Sequence, residues 1–398
     1  MTPETVLVFD LGTSSLKAGL FDGEGNRVGV VRMAYGNEVR PDYYGRSVLT
    51  VLETARNAVR KLTCETPSLI NAAVVGGNGP AWVALDAGGR VLGLPFSRMY
   101  ESNAFSEVGS RYLRLLLTFF RAFPEIEESG ALFLPLSDYL PYFMTGEAVA
   151  ALSCPGVRPL YWDEDSCRFA SIAPNRLPGF VPTGERIGAV KKEAARFLGI
   201  PGGIPVYAGA PDYVMGLIGS GSMVPGAVFN RTGTSEAVNV VTDGSDINSI
   251  PFWDGLNVDS VFLPETGVRF SDWFFRYCLP GDSVTDTVEA LALRKGIFFS
   301  KEAFAAGQRL LDEFGAAFRE AVGRLRLRGR TIEEAVVGGS QAESLSWMRR
   351  KAETGGVRLY VPRYAACELT GGAVLAAAAG NRGAVAALAA ERARAGTD

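Results

Sequence analysis

The stretch VFDLGTSSLKAGLFD, residues 8–22, decides the fold prediction. Two apolar runs, 6–9 and 18–21, flank a polar loop. The polar positions of that loop are Asp10, Gly12, Thr13 and Ser14. Glycine lets the backbone approach a bulky anion, and the N–H groups and hydroxyls of a bend can cradle phosphate oxygens. The stretch therefore predicts a hairpin whose bend binds an anion, or else an ordinary turn, because these residue types favour turns everywhere.

A second stretch, AVFNRTGTSEAVNVVTD at residues 227–243, repeats this arrangement. Val228-Phe229-Asn230 followed by Gly233-Thr234-Ser235 matches Val8-Phe9-Asp10 followed by Gly12-Thr13-Ser14, with one residue inserted. Each stretch alone is explained by an ordinary hairpin. The pair favours two equivalent lobes, each of which presents a bend to one ligand between them.

The composition bounds the class of protein. With 398 residues, 47% of them hydrophobic, the chain can bury a large core in two or three domains. A net charge of -3 gives no general reason to bind nucleic acid or an anionic membrane. No apolar run approaches the roughly 18 residues of a membrane helix, and the first residues do not resemble a signal peptide. The 5 scattered cysteines are typical of reduced thiols, so we expect a cytoplasmic protein.

The chain contains no histidine, which limits the chemistry. Serine–histidine–acid triads and histidine-ligated zinc are excluded, so proton transfer must use a carboxylate or, less often, lysine, tyrosine or cysteine. Magnesium suits such a chain better than zinc because it prefers oxygen ligands. A P-loop enzyme is excluded because no Gly-x4-Gly-Lys-Ser/Thr stretch exists.

The order of patterns along the chain indicates an α/β fold. Strand-like runs near 6–9, 17–21, 28–34 and 72–76 lie among helix-like stretches, and residues 105–123 have the spacing of an amphipathic helix. The pattern begins again near residue 205 with IPVYAGAPD.

Four segments carry a family resemblance: FDLGTSSLKAGLFD (9–22), YAGAPDYVMGLIGSG (207–221), NRTGTSEAVNVV (230–241) and VVGGSQAESLSWMRRKAETGGVRLYVP (336–362). In that order they resemble motifs of the FGGY carbohydrate kinases, above all the xylulokinase-like members. LSDYLPYFMTGEA (136–148) and PGGIPVYAG (201–209) are further points of similarity. The resemblance implies two related ribonuclease H-like lobes of the actin-like ATPase type with a nucleotide cleft between them, at 1–222 and 223–398.

The resemblance also implies roles for single residues. Asp10 corresponds to the acid that holds Mg²⁺ through water. The phosphates of ATP would be held by Gly12, Thr13, Ser14, Gly233 and Thr234, and the adenosine by Gly338, Gly339 and Ser340. Gly338 and Gly339 would let the chain pass close to a purine. Lys17 either contacts phosphate or points to solvent.

Asp212 is the candidate general base. It follows a small-residue turn and begins an apolar, glycine-rich segment. The family places at this motif position the carboxylate that accepts the proton of the attacking sugar hydroxyl. The alternative is a helix cap, because aspartate at a helix start accepts backbone N–H bonds.

The chain departs from the family pattern on the sugar side. Asn78-Gly79-Pro80-Ala81 stands where xylulokinase-like members carry Gln-Met-His-Gly, and PFSRMYESN (95–103) lacks their tryptophan, acid and arginine. Xylulose itself is therefore doubtful as the substrate. The candidate sugar contacts are Asn78, Gly79, Arg98 and Glu101. Trp82 is a further candidate, although its apolar neighbours favour a core position.

The second half departs as well. The segment between Asp243 and Thr331 is shorter than in full-length relatives. Glu236 also stands where the family usually has glycine. A carboxylate at this position would repel the phosphates unless its side chain is turned away from them. Trp347 falls one residue late, so either Glu343 or Ser344 could face the ribose or base.

Three functions remain. We expect an ATP- and Mg²⁺-dependent kinase that phosphorylates a hydroxyl of a small sugar or polyol of the pentulose or hexulose type. The alternatives are a degenerate sensor that binds sugar or nucleotide without transfer, and an actin-like phosphotransferase or ATPase with another acceptor. We expect no nucleic-acid or membrane partner and leave a homodimer open.

Overall fold

The computed structural model describes residues 5–12, 15–35, 47–65, 69–77, 79, 81–97, 105–232, 236–244, 246–263, 301–343 and 345–394. By its contacts the chain divides into two compact units. Unit 1 is Met1–Met215 with Gly372–Val385, and unit 2 is Gly216–Gly371 with Ala386–Asp398. The boundary predicted between 222 and 223 stays a prediction; the contacts group 372–385 with unit 1.

The strands and helices follow the α/β order expected from the sequence. The strands are β1 (Thr5–Leu11), β2 (Ser15–Asp22), β3 (Arg27–Ala34), β4 (Ile70–Gly77), β5 (Ala81–Leu85), β6 (Val91–Ser97), β7 (Leu132–Pro135), β8 (Val149–Leu152), β9 (Gly179–Pro182), β10 (Arg186–Ala189), β11 (Pro205–Pro211), β12 (Val228–Thr232), β13 (Glu236–Thr242), β14 (Ser249–Trp253), β15 (Leu256–Leu263), β16 (Glu334–Gly339) and β17 (Arg358–Tyr360). The helices are α1 (Val48–Glu65), α2 (Arg111–Ala122), α3 (Pro124–Ser129), α4 (Leu136–Thr145), α5 (Glu164–Phe169), α6 (Lys192–Leu198), α7 (Asp212–Gly219), α8 (Lys301–Leu327), α9 (Leu345–Gly355), α10 (Cys367–Ala378) and α11 (Arg382–Arg394). Short 3₁₀ helices lie at Pro155–Leu160, Pro174–Arg176 and Ser340–Glu343.

The main sheet of unit 1 has the order β10-β11-β4-β1-β2-β3. Strand β1 pairs antiparallel with β2 and parallel with β4, and β4 pairs parallel with β11. The apolar run at the start of β1 is buried, as expected for a central strand with both faces covered. Side chains of helices α1, α4 and α6 belong to the same core.

The main sheet of unit 2 repeats this arrangement, with the order β14-β15-β13-β12-β16-β17. Strand β12 pairs antiparallel with β13 and parallel with β16, and β16 pairs parallel with β17. Strands β1 and β12 therefore occupy equivalent positions, each with its hairpin partner on one side and a parallel strand on the other. The bend residues 13–14 and 233–235 lie outside the described residues.

An aromatic core lies beside the small sheet β6-β5-β7 in unit 1. The helix predicted over 105–123 begins at Arg111, because the Ser110 side chain accepts a hydrogen bond of 3.1 Å from the Leu113 N–H. Its buried face packs into this core, whereas residues 105–107 form a turn.

Within the ranges given above, none of the helices is long and apolar enough to cross a membrane. The cysteines that the structure describes, Cys64, Cys154, Cys167 and Cys367, are all free thiols.

Candidate active site

Three parallel strands bring the candidate residues of unit 1 together. Leu11 at the end of β1 and Pro211 at the end of β11 both pair with Gly77, the last residue of β4. Asp10 and Asp212 therefore lie at the carboxyl ends of strands that are two positions apart, roughly 10 Å across the sheet. Ligands of open α/β sheets bind at this edge.

Asp10 is almost completely buried, with 2% of its surface exposed. Its register partner on β2 is Lys17, whose Nζ lies 3.1 Å from Asp10 Oδ2. Lys17 therefore neutralises a buried carboxylate instead of pointing to solvent, and its contact with phosphate stays a prediction. Such a pair is favourable only where the geometry is good, because both charges lose hydration.

The donor set at Asp10 fits a magnesium ion bound together with phosphates. Magnesium is usually held by one or two carboxylates plus substrate phosphates and water, rather than by a cage of protein ligands. Among the described residues no group of three or more acidic or cysteine side chains could hold a metal by itself. A single carboxylate at a strand end matches that requirement.

Gly12 is explained by the tightness of the first bend. Its N–H donates to the carbonyls of Asp10 and Ser15, each at 3.1 Å, and a Cβ at this position would lie 2.8 Å from the Ser15 carbonyl oxygen. The glycine therefore closes the hairpin whether or not phosphate binds. Thr13 and Ser14 lie outside the described residues.

Asp212 is the first residue of α7 and is half-buried. Its Oδ1 accepts a hydrogen bond of 2.7 Å from the N–H of the next residue, Tyr213, whereas a capping carboxylate accepts from an N–H two or three residues further on. This contact fixes the direction of the side chain at the edge of the sheet. A carboxylate has enough acceptor capacity to hold this bond and take a substrate proton as well.

The sugar side is described only in part, since Asn78, Arg98 and Glu101 lie outside the described residues. A Cβ at Gly79 would lie 2.5 Å from the Tyr112 hydroxyl oxygen, so that hydroxyl lies directly against the glycine. Trp82 is fully buried and donates from Nε1 to the Tyr112 carbonyl at 2.9 Å. Trp82 is therefore a core residue.

Two tyrosines that the sequence did not mark lie at this position. The rings of Tyr112 and Tyr161 stack with centroids 4.4 Å apart, and the two side chains are hydrogen-bonded to each other. Burial raises the pKa of both phenols, so both are hydroxyls at neutral pH. The charges of Asp138 and, more weakly, Asp212 further raise the pKa of Tyr112. The amphipathic spacing of the helix predicts that Tyr112 is a core residue, and it gives no sign of the pairing with Tyr161.

Asp138, in the segment LSDYLPYFMTGEA, is a buried carboxyl close to this pair. Burial raises its pKa to about 7, although the Ala151 N–H donates to Oδ1 at 3.3 Å and acts in the opposite direction. The Asp138 carboxyl of the folded chain thus keeps its proton at pH values at which the same carboxyl is ionised in the unfolded chain.

Asp138 is expected to make stability fall as pH rises. A folded-state pKa of about 7 against an ordinary 3.8 means that the folded chain binds the extra proton between these values, so the unfolding free energy declines across that range. A shift of about 3 pKa units corresponds to about 4 kcal/mol. We expect Asp138→Asn, which keeps an acceptor for Ala151, to remove most of this decline in urea unfolding at pH 4 to 8. Equal slopes for both proteins would contradict the burial argument.

In unit 2 the strand ends of β12 and β16 meet in the equivalent way, with Thr232 opposite Gly339. The Thr232 hydroxyl donates to the Gly338 carbonyl at 2.8 Å and accepts from the Gln341 N–H at 3.2 Å. Thr232 immediately precedes Gly233 and Thr234, which lie outside the described residues. This hydroxyl therefore ties the end of the second hairpin strand to the candidate adenosine turn.

Internal packing explains the glycines of that turn without a purine. A Cβ at Gly338 would lie 2.6 Å from Cys367 Sγ, and one at Gly339, where φ is +101°, would overlap the Thr232 carbonyl. Trp347 is buried, and its Nε1 donates to Gln341 Oε1 at 2.9 Å. The Ser340 and Glu343 side chains and the whole of Ser344 lie outside the described part of the chain.

Glu236 belongs to a buried network in unit 2. Its carboxylate pairs with the Lys351 ammonium and accepts from Asn230 Nδ2 at 3.1 Å, and Lys351 also donates to Asn230 Oδ1 at 2.6 Å. Lys351 Nζ lies 4.7 Å from the centre of the Phe318 ring. The acid that follows the second Gly-Thr-Ser is therefore turned into the core and neutralised there.

Comparisons with known proteins agree with this geometry. Residues 116–219 match the N-terminal domain of the FGGY family of carbohydrate kinases. A gluconokinase of Bacillus licheniformis is 26% identical over 126 residues, which are 30% of this chain and 25% of that protein. The chain thus spans about a quarter of the curated relative.

Solved structures show the same fold along nearly the whole chain. A ligand-bound xylulose kinase from Lactobacillus acidophilus superposes with a TM-score of 0.76 at 15% identity, over 97% of this chain and 91% of that one. Plasmodium falciparum glycerol kinase with ADP gives a TM-score of 0.70 at 16% identity, over 98% and 92%. The two repeated sheets are thus part of a fold that this chain shares with these two kinases. The likeness to the FGGY carbohydrate kinases thus rests on the match at residues 116–219 and on a fold shared along nearly the whole chain.

Proposed function

We propose that this chain transfers the γ-phosphoryl group of ATP to a hydroxyl of a small sugar or polyol. The observation that carries the proposal is the placement of Asp10 and Asp212 at the carboxyl ends of β1 and β11, on either side of β4. Phosphoryl transfer needs one group to organise the metal and phosphates and another to orient the attacking hydroxyl. A sensor that binds its ligand without transferring phosphate does not need the group that orients an attacking hydroxyl.

Asp212 is the proposed general base. Its Oδ1 is oriented by the Tyr213 N–H, and the half-buried carboxylate follows the end of β11, the neighbour of β4. It would accept the proton of that hydroxyl as the oxygen attacks phosphorus. Alignment and neutralisation of charge contribute more to such reactions than the base does.

Asp10 is the residue proposed to hold Mg²⁺ through water, and the ion would supply positive charge to the phosphates. Lys17 keeps this carboxylate in place from the neighbouring strand. Gly12, Thr13 and Ser14 in unit 1 and Gly233 and Thr234 in unit 2 are proposed to bind the phosphates. Gly338, Gly339 and Ser340 are proposed to bind adenosine, held against β12 by the Thr232 hydroxyl.

The acceptor is proposed from the names of the relatives, which act on gluconate, xylulose and glycerol. Because the residues at 78–81 differ from the xylulokinase-like pattern, the acceptor panel must extend beyond xylulose. We define it as D-xylulose, L-ribulose, D-gluconate and glycerol, with an aldose as a further member.

The proposal is tested by measuring ADP release from Mg-ATP with each member of this acceptor panel. We expect one acceptor to raise the rate well above that of ATP alone and to saturate. If no acceptor raises the rate while ATP still binds, the kinase proposal is wrong and a binding function takes its place.

A further inference from the structure

A buried polar network lies at the base of the second hairpin, and the proposed reaction gives it no role. Asn230 on β12 pairs in register with Val238 on β13, so Glu236, two positions away, lies on the same face of the hairpin. Asn230 Nδ2 donates to Glu236 Oε1 and to the Ala237 carbonyl, each at 3.1 Å. One side-chain amide therefore joins the two strands at the base of the bend 233–235.

Lys351 connects this network to helix α9. Its ammonium pairs with the Glu236 carboxylate and donates to Asn230 Oδ1 at 2.6 Å, so it contacts one residue on each strand. These three residues are at most 2% exposed, and Lys351 Nζ also lies 4.7 Å from the centre of the Phe318 ring on α8. A buried charge that loses its partner is costly, so the ammonium is confined to this position.

The other side of the bend is bonded to the same part of unit 2. Thr232, the last residue of β12, contacts Gly338 and Gln341 through its hydroxyl. Helix α9 follows this turn in the chain and carries Lys351. The hydroxyl and the ammonium therefore fix the residues on both sides of 233–235 against one stretch of the chain, the turn and the helix after it.

The first hairpin is fixed at its base in a related way, but without a helix. Asp10 matches Asn230 in the repeated sequence, and Lys17 of the neighbouring strand lies 3.1 Å from its Oδ2. In unit 2 the lysine comes instead from a distant part of the chain. The second bend is thus held in place only when α9 is packed against it.

We infer that Lys351 is a positioning residue for ATP, which fixes the second phosphate bend relative to the turn proposed to bind adenosine. The inference rests on the proposed function, because it takes Gly233 and Thr234 as phosphate ligands. A bend that is already ordered binds an anion without losing further backbone entropy. Lys351 is buried in the core and acts only through Asn230 and Glu236.

The test compares ATP with adenosine, which lacks the phosphates. Each is titrated by calorimetry into the full chain in the presence of Mg²⁺ and without acceptor. The variant is Lys351→Met/Glu236→Gln, which leaves no buried charge unpaired but removes the bonds from the hairpin to α9. We expect ATP to bind about tenfold more weakly, the usual effect of one lost hydrogen bond, and adenosine to bind as it does to the wild type.

Two further variants separate positioning from a loss of structure. Arg350→Met removes the neighbouring cation of α9, which pairs with Asp312 and donates to Gln308 Oε1 at 2.8 Å, both on α8. It should leave both affinities unchanged. Asn230→Ala keeps the ion pair of Lys351 and should weaken ATP binding alone. It takes the place of the double variant if urea unfolding shows that the double variant does not fold.

The outcomes for the two proposals are distinct. Wild-type ATP affinity in the folded variant, or an equal loss of affinity for ATP and adenosine, would overturn the inference and leave the kinase proposal standing. Binding of ATP by the wild type without transfer to any member of the acceptor panel would overturn the kinase proposal alone. A wild-type chain that does not bind ATP would overturn both.

Discussion

Replacing Asp212 with asparagine should reduce phosphoryl transfer about 10²- to 10⁴-fold, the range that general base catalysis contributes. The amide oxygen of asparagine can still accept the Tyr213 N–H, so the start of α7 should persist. ATP affinity should change little, because Asp212 is proposed to contact the acceptor and not the nucleotide. The measurement is kcat with the best acceptor, together with ATP binding to the same variant.

Asp163→Asn is the matched control for this substitution. Asp163 accepts from the Ser166 N–H at 2.7 Å and caps α5, so it tests the loss of a carboxylate at another helix start of unit 1. This variant should keep full activity. If Asp212→Asn lost ATP binding and transfer in equal measure, or retained activity within tenfold, Asp212 would be a structural cap and not the base.

Replacing Lys351 with methionine should cost about 3–5 kcal/mol of unfolding free energy, the usual effect of removing one partner of a buried ion pair. Lys351 and Glu236 are both buried, and methionine leaves the Glu236 carboxylate without its counter-charge. Burial lowers the pKa of Lys351 and Glu236 acts against that effect, so the charge on the lysine depends on its partner. Urea unfolding of the full chain measures the loss.

The double variant Lys351→Met/Glu236→Gln should recover a large part of that stability, since no unpaired charge then stays buried. Arg168→Ala is the control for an ion pair at the surface, because Arg168 and Asp165 are both exposed. That variant should change the unfolding free energy by at most about 1 kcal/mol. A Lys351→Met effect as small as this would show that the network contributes nothing to folding.

Much of the fold could be predicted from the sequence because its signals are local. The two hairpins of 5–22 and 228–242 follow from apolar runs on either side of polar bends, and the structure has both. The strand-like runs near 28–34 and 72–76 are strands β3 and β4 of the structure. The position of Asp212 at a helix start also follows from its neighbours in the chain.

The features of the site that the sequence does not predict depend on contacts between residues far apart in the chain. Lys351 is separated from Glu236 by 115 residues. The sequence therefore shows an unusual acid at position 236 but does not identify the lysine that neutralises it. Tyr112 resembles any other apolar position of an amphipathic helix until Gly79 and Tyr161 are placed beside it. The sequence predicts a close approach of the chain to a purine at Gly338 and Gly339, but packing against Thr232 and Cys367 is sufficient to require both glycines.

The most direct measurement is the fate of the labelled γ-phosphoryl group of ATP when the full chain turns over with its best acceptor. We expect one labelled phosphate ester of the acceptor for each ADP formed, and neither product in appreciable amount from Asp212→Asn. Label found only as inorganic phosphate, or ester formation that persists in Asp212→Asn, would contradict a sugar kinase that uses this aspartate as its base.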